Sequence, residues 1–285
     1  MTSALQQQDT IEKFHGSIIQ HGPLSNRIYL MKIGEADPDE LVAELAKLAH
    51  ERGYTKIFAK VPVGKVTPFE AAGYTVEAKI LGFYNGVEAA DFLGYYPDKK
   101  RRELSNEDEL NEVIDITRRK NEGGASNRIL PEHGVLRLCQ PSDVARMAYI
   151  YREVFPSYPF PIDNPDYLLR TMRTHVLYFG VEVSNILVSL SSAEMDEASG
   201  NVEMTDFATL PNYRGNSFAT VLLEQMENAM RVRGVKTAYT IARAISPGMN
   251  ITFARCGYAF GGRLINNTNI SGSIESMNVW YKSLV

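Results

Sequence analysis

Along the chain, apolar positions recur at three kinds of spacing, and the changes between them mark the elements. Alternating or continuous apolar runs predict strands at 16–21, 27–33, 55–61 and 74–83. Leu41, Val42, Leu45 and Leu48 fall on one face of a predicted helix at 38–52, with Asp37 as its cap, Pro38 at the first helical position and Glu40 completing a capping box; Gly53 ends it. A short helix from Pro68 to Ala72 and a helix at 106–119 complete this region. The stretch NEGGASNRILPEHG, residues 121–134, has no period and holds glycines, small polar residues and Pro131, so it reads as a boundary. Beyond it the pattern predicts a strand at 135–139, helices at 143–154 and 165–173, strands at 175–183, 185–194 and 202–210, a helix at 217–233, a strand at 236–243, a helix at 248–256, and strands at 259–266 and 276–283. The second region therefore reads β-α-α-β-β-β-α-β-α-β-β, and the fold class is α/β (α+β), with domains expected at 1–125 and 133–285.

One similarity is internal. FEAAGYTVEAKILGF at 69–83 aligns without gaps to FARCGYAFGGRLINN at 253–267, and IFAK at 57–60 falls against TIAR at 240–243. The first region thus reads as a degenerate copy of the strand–helix–strand in the second.

Composition adds bounds. A chain of 285 residues, 44% apolar and 22% charged, can bury sizeable cores, and no apolar run reaches the length of a membrane span. The polar start MTSALQQQDT lacks a signal-peptide core, so a cytoplasmic protein is expected. A net charge of −4 argues against nucleic acid as the main partner, and KKRR at 99–102 reads as a solvated linker. Cys139 and Cys256 are too few for a disulfide framework, and the five histidines have no metal-ligand spacing, so no metal is expected.

The chemistry concentrates at LPNYRGNSFATVLL, residues 210–223, where a strand runs into a helix. The first N–H groups of such a helix are unpaired and its positive dipole end is exposed, which suits a pyrophosphate. GxxxxGK[ST] and GxGxxG are both absent. What is present is an imperfect R-x-x-G-x-A: Arg214 begins it, Ser217 stands at the glycine and Ala219 keeps the last small position.

With this loop, the element order and CGY at 256–258, the second region resembles the Gcn5-related N-acetyltransferase (GNAT) superfamily. That resemblance implies the acyl-coenzyme A N-acyltransferase fold for the C-terminal domain, with a degenerate GNAT-like N-terminal half, and acetyl-coenzyme A held by Thr209, Arg214, Gly215, Asn216, Ser217, Phe218 and Ala219. The whole chain is also similar to the β-lysine N-acetyltransferase family, through NRIYLMK at 26–32, GYTKIFAKVP at 53–62, GYTVEAKILGFYNG at 73–86, TDFATLPNYRG at 205–215, MNITFARCGY at 249–258 and MNVWYK at 277–282. It implies acetyl transfer to the distal amine of β-lysine, (3S)-3,6-diaminohexanoate, giving a compatible solute, with lysine 2,3-aminomutase as the supplier of substrate. Another small amine or a protein as acceptor, or a coenzyme-A-binding regulator without catalysis, stand as alternatives.

An alkylammonium of ordinary pKa about 10.4 must lose a proton before it attacks, so a base is required. The expected base is Glu203, 11 residues before Arg214, sharing a strand face with Thr205, Phe207 and Thr209, while Asp206 faces away. The superfamily pattern puts the backbone N–H that meets the thioester oxygen at Thr209, and the acceptor wall at 151–170, where Tyr158, Asp163 and Asp166 offer polar groups. The tyrosine that protonates the leaving thiolate in many members is replaced by Phe253. The N-terminal copy starts its helix with Glu35, Asp37, Asp39 and Glu40, which would repel a second pyrophosphate, so this half is expected to pack on the other or to mediate a homodimer.

Overall fold

In the computed structural model, residues 9–121 and 130–285 are described, so most of the boundary read at 121–134 and the start of the chain lie outside them. The first half contains β1 (Thr10–Phe14), β2 (Ser17–Gly22), β3 (Arg27–Lys32), α1 (Pro38–Arg52), β4 (Lys56–Pro62), α2 (Thr67–Ala71), β5 (Thr75–Tyr84), β6 (Glu88–Tyr95) and α3 (Glu107–Asn121). The second contains β7 (Gly134–Leu138), α4 (Val144–Val154), α5 (Pro165–Met172), β8 (Val176–Val183), β9 (Ile186–Asp196), β10 (Asn201–Thr209), α6 (Phe218–Val232), β11 (Thr237–Arg243), α7 (Pro247–Arg255), β12 (Ala259–Ile270) and β13 (Ser273–Ser283). No described helix is long and apolar enough to cross a membrane.

All thirteen strands join one sheet in the order β1-β2-β3-β4-β6-β5-β12-β13-β11-β10-β9-β8-β7. The order is nearly a mirror about the β5–β12 seam. On either side lie an antiparallel hairpin, β5–β6 or β12–β13, and then a parallel pair, β3–β4 or β10–β11. The internal likeness extends to backbone detail. Tyr74 N–H donates to the Phe69 carbonyl at 3.0 Å and Tyr258 N–H to the Phe253 carbonyl at 3.1 Å, and the intervening Gly73 and Gly257 have φ of +90° and +83°. A left-handed residue ends both helices, and glycine adopts it without a Cβ penalty.

The seam itself is narrow, with one registered pair, Gly262 opposite Ala78. Side chains reinforce it. Lys56, fully buried, donates to Glu77 at 2.8 Å and to the Ile265 carbonyl at 2.7 Å, and Tyr96 donates to the same Glu77. Burial lowers the Lys56 ammonium to about 8 against the pull of Glu77. Arg101 donates to the Asn266 carbonyl, Thr55 and the Ser25 carbonyl at 2.8 Å each. The KKRR run is therefore solvated only at Lys99, Lys100 and Arg102: it forms a 3-10 turn, Lys99–Arg102, whose Arg101 ties the halves together.

Amphipathic helices cover the faces for the expected reason. In α6, Phe218, Leu222, Leu223, Met226 and Met230 recur at helical spacing and enter the core of the second half, each side chain stabilising by roughly 1.5–3 kcal/mol. In α1, Leu41, Val42, Leu45 and Ala49 do the same in the first half, and Gly53 is left-handed. The capping box read at this helix does not form: the Asp37 side chain accepts from Asp39 N–H, without a reciprocal bond donated by Asp37 N–H to the Glu40 carboxylate. β1 and β6 were not evident from the pattern.

Candidate active site

β10 carries the chemistry because it changes neighbours along its length. It pairs with parallel β11 only over Asn201–Glu203 against Thr237–Tyr239, and beyond Glu203 the two strands part into a fork. On its other edge it stays with β9, but the register slips between Thr205 and Ala208, and Asp206 takes φ +55°. This bulge reverses the alternation of faces downstream. Asp206 is therefore not turned away: it lines the same cavity as Glu203, Thr205 and Phe207. The same reversal removes Thr209 from the Glu203 face, and the Thr209 hydroxyl meets Ser189 at 2.7 Å.

The backbone of Thr209 is placed differently from its side chain. Leu210 N–H donates to the Val188 carbonyl of β9 at 3.0 Å. In an extended strand the next N–H points to the opposite edge, so the Thr209 N–H lies on the fork side. Its carbonyl, on that same edge, accepts from Arg214 Nε at 3.3 Å.

The loop after the strand exposes backbone donors. The first bonds of α6 run from Thr220 and Val221 N–H to the Ser217 carbonyl at 3.0 and 3.2 Å, leaving the N–H groups of residues 215–219 without an acceptor among the described residues. Gly215 and Ser217 have φ of +86° and +59°. The second value explains why this position favours glycine, and a small polar residue fills it here. Arg214, Gly215, Asn216 and Ser217 are exposed; Asn216 donates to the Tyr213 carbonyl at 3.0 Å. Phe218 and Ala219 offer only backbone, since the Phe218 ring is in the core. A helix start with free donors and an adjacent guanidinium fits the pyrophosphate of acetyl-coenzyme A. Phe253 is fully buried against Phe207 and Tyr258 and has no proton to give.

Beside the fork lies a cavity of about 760 Å³ lined by both halves. From the second half come five carboxylates: Glu194, Asp196, Glu197, Glu203 and Asp206. Burial, reinforced by the Glu194 charge, pushes the Glu203 carboxyl up to about 7, although Lys60 and a hydrogen bond from Tyr239 oppose the shift. Burial raises Asp206 to about 6 against bonds donated by Ser192 and Tyr158, both at 2.6 Å. Two adjacent carboxyls are thus tuned toward neutral pH, the range in which proton transfer is efficient. Among the described residues no cluster of three potential ligands for a metal forms.

Of the three polar groups read on the acceptor wall, only Tyr158 reaches this cavity. Asp163 is exposed, 4.0 Å from Arg152, and Asp166 sits in the exposed first turn of α5 below its cap Asn164. The opposing wall is supplied instead by the first half, through Arg27, Tyr29, Lys60 and Phe83. Sequence reasoning missed these residues. The motifs NRIYLMK and GYTKIFAKVP contain three of them, but nothing local indicates that their faces turn toward β10.

The sequence profile of the Acetyltransferase (GNAT) family matches residues 145–258. A protein of Methanococcus maripaludis named beta-lysine N(6)-acetyltransferase is 39% identical over 96% of this chain and 98% of its own length. Another of that name, from Methanosarcina mazei, is 33% identical over 86% of this chain and 97% of its own. Among solved structures, an N-acetyltransferase from Staphylococcus aureus Mu50 superposes with a TM-score of 0.48 at 15% identity, covering 53% of this chain and 99% of that one. With a matched domain spanning loop, fork and Cys-Gly-Tyr turn, and relatives aligned nearly end to end, the chain belongs to the GNAT acetyltransferase family and is an acetyl-coenzyme-A-dependent N-acetyltransferase.

Proposed function

We propose that the chain acetylates the N6 amine of β-lysine, giving N6-acetyl-β-lysine for use as a compatible solute. The observation that carries this reading is the 39% identity, over 98% of its length, to a protein named for that reaction. The cavity supports it. A diamino acid brings two ammonium groups and a carboxylate, and the walls offer five carboxylates from one half and the cations Arg27 and Lys60 from the other.

In this reading Glu203 accepts a proton from the N6 ammonium, directly or through water, because its carboxyl is ionised at and above about pH 7 yet remains basic enough to take the proton. Asp206, fixed by Tyr158 and Ser192, helps to hold the ammonium in place. The Thr209 N–H, on the fork edge, supplies a preformed donor for the thioester oxygen. Arg214 and the N–H groups of residues 215–219 hold the pyrophosphate. Acetyl-coenzyme A brings the activated acetyl group, and the thiol, of ordinary pKa about 8.5, leaves without an acid at Phe253. Supply of the substrate requires a reaction that moves the α-amino group of lysine to C3, the role expected of a lysine 2,3-aminomutase.

Incubation with acetyl-coenzyme A and a panel of amines, followed by NMR of the product, tests this proposal. Acetylation of β-lysine at N6 with kcat/KM well above that for α-lysine is expected. Acetylation mainly at N3, or equal rates with α-lysine and a plain diamine, would remove the substrate assignment.

A further inference from the structure

Two cations on the wall of the first half feel the Glu203 charge but make no contact ion pair. Arg27, only 3% exposed, donates from Nη1 to the Asn267 carbonyl at 2.7 Å and to Thr268 at 3.0 Å, while its Nε has no partner. Lys60, partly buried, donates to the Tyr239 hydroxyl at 3.3 Å. Neither forms an ion pair among the described residues. Both sit by the ring of Tyr29, the Arg27 guanidinium carbon 5.2 Å and the Lys60 nitrogen 5.3 Å from its centroid. The rings of Phe83 and Tyr239, at 6.0 and 5.7 Å, complete a cage around Lys60.

A buried cation without a partner is costly unless something brings it an anion. Aromatic faces stabilise the charge but leave the N–H donors unused. The unused donors border the cavity whose opposite wall holds the base. Arg27 and Tyr29 lie two residues apart on β3, Phe58 and Lys60 two apart on β4, and Tyr29 is registered opposite Phe58, so all four project from one sheet face.

We propose that Arg27 and Lys60, contributed by the non-catalytic half, are the seat of the acceptor's carboxylate and thereby determine its specificity. The inference rests on the reading of the acceptor as an amino acid and assigns the end of the molecule remote from the acetylated amine. The ammonium end lies at Glu203 and Asp206 and the carboxylate at the N-terminal wall, so the acceptor spans the seam. A diamine without a carboxylate leaves both cations uncompensated, and a site built in this way rejects it.

The test uses full-length protein and two probes, 6-aminohexanoate and pentan-1-amine, which share a distal ammonium and differ by the carboxylate. Calorimetry of the wild type is expected to show at least tenfold tighter binding of 6-aminohexanoate. In Lys60→Met and Arg27→Gln that preference shrinks to near unity, with the KM for acetyl-coenzyme A unchanged. Arg27→Gln also loses bonds to the Asn267 carbonyl and Thr268, so its melting is followed in parallel. Lys60→Met, which exchanges a partly buried charge for an apolar chain of similar length, keeps the test decisive if Arg27→Gln unfolds. No preference in the wild type, or a preference that survives in Lys60→Met and in folded Arg27→Gln, overturns the carboxylate seat. β-Lysine turnover is measured separately. A wild type that leaves β-lysine untouched but keeps the carboxylate preference loses the substrate assignment and retains the seat; turnover of β-lysine with the preference intact in the variants does the reverse.

Discussion

As the proposed base, Glu203 combines a mechanistic advantage with a thermodynamic cost. Its carboxyl titrates at about 7 in the folded chain against an ordinary value of 4.5, so the folded state binds more protons than the unfolded between those values. Whatever stability this group contributes is therefore present below about pH 4.5 and lost as pH rises through about 7. Glu203→Gln is expected to raise the melting temperature at pH 8 and to leave it nearly unchanged at pH 4.5, as calorimetric scans would read. The same substitution is expected to lower kcat about 100-fold at pH 7, the usual scale for a general base, and to abolish an acidic limb near pH 7 in kcat/KM. A retained limb would point to Asp206. Residue type and spacing single out Glu203, which lines the cavity. They could not find Lys60 or Arg27, because a lysine or arginine in a strand reads as solvent-facing until the partner wall is known.

At the scale of elements, the strand–loop–helix junction was legible because its function depends on local backbone. The R-x-x-G-x-A spacing survives a serine at the fourth position because Ser217 still enters the left-handed region, φ +59°. Ser217→Val is expected to lower stability by about 1–2 kcal/mol in denaturant unfolding, whereas Ser217→Gly is not. Arg214→Glu is expected to raise the KM for acetyl-coenzyme A at least tenfold while the KM for amine changes little. The bulge at 206–207 was not legible. Period-two reasoning assumes an unbroken strand, and a single left-handed aspartate inverts every later prediction about faces. β6 escaped for another reason: Glu88–Tyr95 reads EAADFLGY, with small residues and an aspartate in place of branched apolar ones, and Asp91 is buried beside Lys79 at 3.1 Å.

For the whole molecule, the internal repeat was visible in the sequence, but the way the copies meet was not. A seam made of one registered pair leaves almost no pattern in the chain. It does require glycine. A Cβ on Gly262 would press on the Glu77 carbonyl oxygen and lie 2.6 Å from the Ala78 Cα, at a φ of +143° that disfavours side chains. Gly262→Ala is expected to destabilise by roughly 2–4 kcal/mol, from overpacking and backbone strain together. Because the cavity proposed for the acceptor spans the seam and the loop proposed for acetyl-coenzyme A does not, steady-state kinetics are expected to show a larger rise in the KM for amine than for acetyl-coenzyme A. Equal effects on both would mean that the seam does not set the cavity.

The near-mirror sheet separates two tasks that a single-domain enzyme must solve with one set of residues. The second half contains the proposed base, the fork and the loop, while the first half faces them across the seam with a wall of its own. Substitutions on β3 and β4 can therefore reshape which amine is admitted while the transfer machinery stays untouched. A half that leaves the proposed transfer chemistry to the other becomes a surface on which selection can try new substrates at little risk to turnover.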